Sequence, residues 1–206
     1  MGMSTLTRFW SRLRDTRHPD DLPTLALHPG AFNCDFPPTP FVGNPDKASV
    51  ILLSMNPSYG EETPLEFPGD EDREQHFRMI RGETDQLPDR LSRYYRHPRA
   101  WPWLRGGLLA IVNAVPYRAR HLDSRAVKSL MSRRVAQMWA GSELLPQAQA
   151  GQRFVFVHRN GQWGLPQSAA STTVVFSAPP GEWRGALPYQ ETWRRAEVWL
   201  RQRRLV

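Results

Sequence analysis

Two short apolar runs in this chain each end in an asparagine. They are Val50-Ile51-Leu52-Leu53-Ser54-Met55-Asn56-Pro57-Ser58-Tyr59-Gly60 and Leu108-Leu109-Ala110-Ile111-Val112-Asn113-Ala114-Val115-Pro116-Tyr117-Arg118. A carboxamide presents a donor and an acceptor side by side, so it can orient a water or read the edge of a flat polar ring. It is too weak a base to remove a proton. A proline and a tyrosine follow each asparagine within four residues. Two convergent amides with aromatic rings beside them suit a planar ligand such as a nucleobase.

The elements that position these amides follow from the runs themselves. Stretches rich in Val, Ile and Leu without alternation predict strands buried on both faces of a parallel sheet, and open α/β sheets bind ligands just beyond the carboxyl ends of their strands. Phe154-Val155-Phe156-Val157 predicts a third strand and Thr172-Thr173-Val174-Val175-Phe176 a fourth. Helices are predicted over Asp72–Arg81, over Leu87–Tyr95, and over Trp101–Leu109, the last weakened by Gly106 and Gly107. A further helix is expected from an Asp123 or Ser124 cap through Trp139, and a last one over Tyr189–Arg204 with Trp193, Ala196 and Leu200 as its apolar seam. Met1–Asp21 interleaves Arg8, Arg12, Arg14 and Arg17 with Phe9, Trp10 and Leu13, the pattern of an amphipathic basic helix. The prolines between His18 and Pro45 predict loop or extended chain, with Phe41–Asp46 a turn into the first strand. This order predicts a three-layer α/β/α sandwich with a short, mainly parallel central sheet. One domain over 1–206 is expected, with an insertion at about 61–99.

Composition narrows the classes of function. The chain has 206 residues, 40% hydrophobic and 23% charged, which suits a folded domain with a substantial core. Cys34 is the only cysteine, which excludes an internal disulfide and a cysteine-based zinc cluster and predicts a reducing, cytoplasmic setting. No run is long enough to span a membrane, so no membrane partner is expected. The net charge of +7 favours a polyanionic partner. Almost all of that charge is arginine, since Lys47 and Lys128 are the only lysines.

Taken with their order, three segments resemble the uracil-DNA glycosylase superfamily. Leu53-Ser54-Met55-Asn56-Pro57 is similar to the first family motif, and Ile111-Val112-Asn113-Ala114-Val115 to the strand whose asparagine reads the base. Phe176-Ser177-Ala178-Pro179-Pro180-Gly181 falls where the family has its last motif, His-Pro followed by a small residue. The likeness covers roughly residues 41–184 and is greatest to a bacterial branch with an Asn-Pro-small-Tyr first motif. It implies hydrolysis of the N-glycosidic bond of a damaged or deaminated base in DNA, with the base taken out of the stack. Asn56 would position the attacking water beside Pro57 and Ser58, Asn113 would read the flipped pyrimidine, and Tyr59 or Tyr117 would stack on it. Arg118, Arg120 and Arg184 would hold phosphates.

One departure divides the functional expectation. The family's final histidine donates to the pyrimidine oxygen as charge develops there, and Ala178 stands at the matching place. Loss of such a donor costs roughly 2.7–4 kcal/mol in the transition state. His158, at the end of the third strand, and Arg184 are the candidate replacements. The alternative is a catalytically degenerate protein of the same fold that binds a nucleobase, nucleotide or nucleic acid without cleaving it.

Other chemistries lack their signatures. The six histidines show no paired zinc spacing, and there is no phosphate-binding Gly-Lys-Ser/Thr loop, dinucleotide fingerprint or Gly-x-Ser-x-Gly elbow. No metal or cofactor is expected. The acidic run of Glu61, Glu62, Glu66, Asp70, Glu71 and Asp72 reads as a solvated loop.

Overall fold

The computed structural model describes residues 2–57, 59–60, 63–177 and 190–205. Among them five strands form one sheet: β1 (Phe41–Val42), β2 (Val50–Ser54), β3 (Leu109–Asn113), β4 (Phe154–Val157) and β5 (Val174–Phe176). Their spatial order is β1-β3-β2-β4-β5. The last four run parallel, and β1 is antiparallel to β3. Every residue of β2, β3 and β4 is buried, which is why these strands read as unbroken apolar runs and not as alternating ones. The chain is therefore mixed α/β with a mostly parallel sheet, as the alternation of patterns predicts.

The edge strand β1 corrects the expectation of a turn over Phe41–Asp46. Phe41 and Val42 pair with Val112 and Ile111. Gly43 permits the approach, since its φ is +82° and a Cβ there would lie 2.6 Å from the Leu109 carbonyl oxygen. The prolines just before β1 lie along the same edge. The Asn113 N–H donates to the Pro40 carbonyl at 2.8 Å, and the Thr39 N–H to the Pro116 carbonyl at 2.8 Å. At a sheet edge a proline's missing donor leaves no ladder bond unmade.

Several of the helices are shorter than the periodicity predicts, while the one expected over Asp72–Arg81 is present over Asp70–Ile80. A single basic helix over Met1–Asp21 does not form. Instead α1 (Thr5–Trp10) is capped by Ser4, whose hydroxyl accepts from the Thr7 N–H at 3.2 Å, and it buries Leu6, Phe9 and Trp10. A second helix, α2 (Leu22–Leu27), arises inside the stretch expected to be loop, with its proline in the first turn where the lost N–H is tolerated. The insertion carries α3 (Thr63–Glu66) and α4 (Asp70–Ile80), while the weak pattern over Leu87–Tyr95 gives turns and no helix. α5 (Trp101–Arg105) stops at Gly106, short of the expected Leu109.

The helix expected through Trp139 breaks at Leu130, where ψ is 128°, into α6 (Ser124–Ser129) and α7 (Met131–Trp139). The fully buried Asp21 accepts the Ser132 N–H at 3.0 Å, so the start of α7 takes its cap from the N-terminal segment. After a π-helical turn, α8 (Leu145–Gln149) leads toward β4. α9 (Gln190–Gln202) buries Trp193, Ala196 and Leu200 as predicted, and the Trp193 ring stacks on Phe156 with centroids 5.3 Å apart. Tyr189, where that helix was expected to begin, is outside the described residues.

Leu52 is fully buried at the centre of the sheet. Leu52→Ala is expected to lower unfolding stability by about 2–5 kcal/mol, read from the urea midpoint at unchanged slope.

Candidate functional site

The strand order fixes where a ligand crevice lies. The chain leaves β2 toward β3 on one side, whereas β4 pairs on the other side of β2 and is followed by β5 farther out. Connections leaving β2 and β4 therefore diverge, and the space beyond their carboxyl ends is the topological switch point of the sheet. Leu53 is in register with Val157. Met55 and Asn56 follow β2, and His158 and Arg159 follow β4, so the four lie at this end of the sheet.

Asn56 is half-buried, and its only hydrogen bond among the described residues is a 3.5 Å contact from Nδ2 to the Pro57 carbonyl. Most of its donor and acceptor capacity is unengaged. His158 is 9% exposed and its N–H donates to the Leu53 carbonyl at 2.9 Å. It is a buried residue and not part of a solvated turn. Burial, with the neighbouring Arg159 charge, holds its pKa below the usual 6.5, so the ring is neutral at neutral pH. Arg159 has φ of 52°, a left-handed conformation that costs a non-glycine residue roughly 1–2 kcal/mol. Its Nη1 lies 3.0 Å from the Met55 sulfur, which links the two strand ends. Beneath them the buried Trp163 donates from Nε1 to the Ser54 carbonyl at 3.1 Å.

Asn113 lies one strand away, in register with Ser54. It is 2% exposed. Its Nδ2 donates to the Thr39 carbonyl at 2.7 Å and to the Tyr95 hydroxyl at 3.1 Å, while Oδ1 is buried with no hydrogen-bond partner among the described residues. Tyr94 covers the neighbouring strand end in the same way, its hydroxyl 3.4 Å from the Ser54 Oγ. Burial raises both phenols, Tyr94 to about 12 and Tyr95 further, so both stay protonated. The insertion therefore closes over Asn113.

What holds the insertion there is a buried ion pair. Arg118 and Glu66, 2% and 5% exposed, meet through two bonds, Nη1 to Oε1 at 3.1 Å and Nη2 to Oε2 at 3.2 Å. Oε2 also accepts the Ser92 N–H at 3.0 Å, just ahead of the two tyrosines. Arg118 further donates to the Thr39 hydroxyl at 3.4 Å, which lies 3.3 Å from Nε2 of the buried His76. Two expectations are corrected here. Glu66 is not part of a solvated loop, and Arg118 is not at a mouth awaiting phosphate, because its guanidinium is committed to Glu66.

Tyr117 is likewise corrected. It is fully buried, its hydroxyl donates to Asp21 Oδ2 at 2.9 Å and accepts the His18 N–H at 3.0 Å. No face of its ring is left for a ligand. Tyr59 is the half-buried tyrosine of the pair, with the Arg120 guanidinium 5.4 Å above its ring. Pro57 is buried. Ser58, Ala178 and Arg184 lie outside the described residues. Residues the sequence did not single out are Glu66 and Tyr95, hidden in a polar insertion, and Arg159, whose only trace was a following Asn160-Gly161 turn.

Among the described residues no cluster of three His, Cys, Asp or Glu side chains is placed to hold a metal, and no helix is long and apolar enough to cross a membrane. The sequence matches no protein-family model and no curated protein, and the fold matches no solved structure.

His76 gives the site a pH signature. Burial and the Arg118 charge, partly offset by the Pro38 carbonyl, lower its pKa from 6.5 to about 3. Between these values the unfolded chain binds a proton that the folded one excludes, so stability is full above pH 6.5 and falls as the pH drops toward 3. The slope is at most about 1.4 kcal/mol per pH unit for one imidazole. Urea unfolding between pH 7 and pH 4 is expected to show this loss, and a stable His76→Gln variant to show a flatter profile.

Proposed function

We propose that this chain is a uracil-DNA glycosylase-like protein that binds nucleic acid at the carboxyl ends of its parallel strands and reads a base through Asn113. The observation that carries this is the state of the Asn113 amide. Its acceptor is buried and open, and its donor is satisfied in part by a tyrosine hydroxyl from the insertion. A base edge with adjacent N–H and C=O groups, as in uracil, matches that pair: the N–H donates to Oδ1, and the carbonyl takes the place of the Tyr95 hydroxyl at Nδ2. Tyr95 thus acts as an internal substitute for the ligand. Exchange of one acceptor for another keeps the Asn113 Nδ2 donor satisfied with and without ligand.

Binding without cleavage is the primary conclusion, because the charge and ring expected to serve a flipped base after the second motif, Arg118 and Tyr117, are both used in structure. A hydrolytic reading draws on His158. A neutral imidazole beside Asn56 at the switch point is a competent N–H donor to developing oxyanion charge, the role left open by Ala178.

Fluorescence anisotropy with a deoxyuridine-containing oligonucleotide tests the proposal. Asn113→Ala is expected to abolish base-selective binding. Tyr95→Phe removes the competing hydroxyl and should tighten binding about 2- to 10-fold, the equivalent of one hydrogen bond of 0.5–1.5 kcal/mol. Equal affinity of wild type and Asn113→Ala would remove Asn113 from the site. Base release from the same oligonucleotide, lost in both Asn56→Ala and His158→Ala, would instead establish hydrolysis.

A further inference from the structure

Beside the strand ends lies a cavity of about 810 Å3 that neither asparagine lines. One wall is the segment from Arg17 to Asp35, and the other runs from Tyr59 to the Ala119–His121 exit of the second motif. Backbone pairing frames it: Asn33 bridges to Arg118, its N–H donating to the Arg118 carbonyl at 2.8 Å, and the Tyr59 N–H donates to the Ala119 carbonyl at 3.4 Å. Two arginines line the cavity, Arg17 from the first segment and Arg120 from the second. Arg17 and Arg120 are exposed, and neither forms an ion pair among the described residues, unlike Arg12, Arg81, Arg90 and Arg118. Asp35 is the one carboxylate in the lining. Arg120 is steadied over the Tyr59 ring, which limits the entropy it would lose on gripping an anion.

We infer that this cavity holds the phosphates of the nucleic-acid strand, alongside the base crevice. It rests on the nucleic-acid reading above and adds to it the track of the backbone. Guanidinium groups bind phosphate oxygens through paired N–H donors, and two of them in one cavity, one from each lining segment, suit successive phosphates of a strand. Tyr59 stands three residues after Asn56, a reach of at most about 10 Å along the chain, so a strand in the cavity adjoins the crevice rim. The acidic start of α4 lies on a different segment and lines no part of this cavity.

Cys34, the only cysteine, is half-buried in the same lining and reports occupancy directly. Burial raises its thiol while Arg17 draws it back, so alkylation is best followed at mildly alkaline pH. A short deoxyuridine-containing oligonucleotide at low salt is expected to slow alkylation roughly ten-fold when its free concentration is about ten times its dissociation constant. Protection, read as the ratio of each protein's own alkylation rates with and without oligonucleotide, should vanish in the double variant Arg17→Ala, Arg120→Ala, whose melting temperature stays at the wild-type value and whose ligand-free thiol reacts more slowly because Arg17 no longer lowers its pKa. Saturable oligonucleotide binding by anisotropy with Cys34 unprotected would overturn this inference and leave the base-reading proposal standing. Absence of binding would remove both. Protection retained in the double variant, or equal protection by inorganic pyrophosphate at matched phosphate concentration, would also overturn the strand track.

Discussion

The bidentate ion pair between Arg118 and Glu66 is the interaction on which the arrangement of the site depends. Both partners are withdrawn from water, so neither can lose the other without leaving a bare buried charge, a change that typically costs 3–5 kcal/mol. Such a pair adds little net stability over apolar packing, and what it supplies is register. Glu66 ends α3 in the insertion and Arg118 follows β3, so their contact fixes where the insertion crosses the strand ends. The Ser92 N–H on the same carboxylate carries that constraint to Tyr94 and Tyr95.

A division of labour between the two motifs follows. Residues after the second asparagine are spent on structure: Tyr117 on Asp21 and His18, Arg118 on Glu66. At the first, Asn56 is weakly engaged among the described residues, and Tyr59 is half-buried beneath Arg120. Asn113 itself lies between these states, with one donor occupied from above and one acceptor unmet. Asp21 shows how far the structural half reaches. Its two oxygens join Tyr117, which follows β3, to the start of α7, and so tie the N-terminal segment to both.

The strands were legible because burial on both faces leaves an unbroken apolar run, and no distant partner is needed to recognise one. Helix ends were less so. The helix that starts after Leu130 takes a cap on Ser132 from a carboxylate 111 residues earlier, and local periodicity through Trp139 carries no trace of it. Asn56 and His158 were legible as strand-terminal residues, yet that they follow neighbouring strands at one end of the sheet depends on strand order, which hydrophobic patterning does not encode. Tyr117 and Arg118 were misread for a related reason: nearness in sequence to Asn113 does not determine which way a side chain points once the strand has ended. Glu66 was concealed by its neighbours, since one buried carboxylate in an acidic run looks like the solvated ones.

The central claim is that Tyr95 occupies the place of a ligand on Asn113. Hydrogen exchange across Leu91–Tyr95, compared without and with a saturating deoxyuridine-containing oligonucleotide, tests it most directly. Displacement of Tyr95 predicts faster exchange at the backbone amides of this segment on binding, including the Tyr95 N–H that bonds the Ser92 carbonyl at 3.0 Å. Exchange that is unchanged or slower at saturation would contradict the claim, because the ligand would then be bound with the cap still in place.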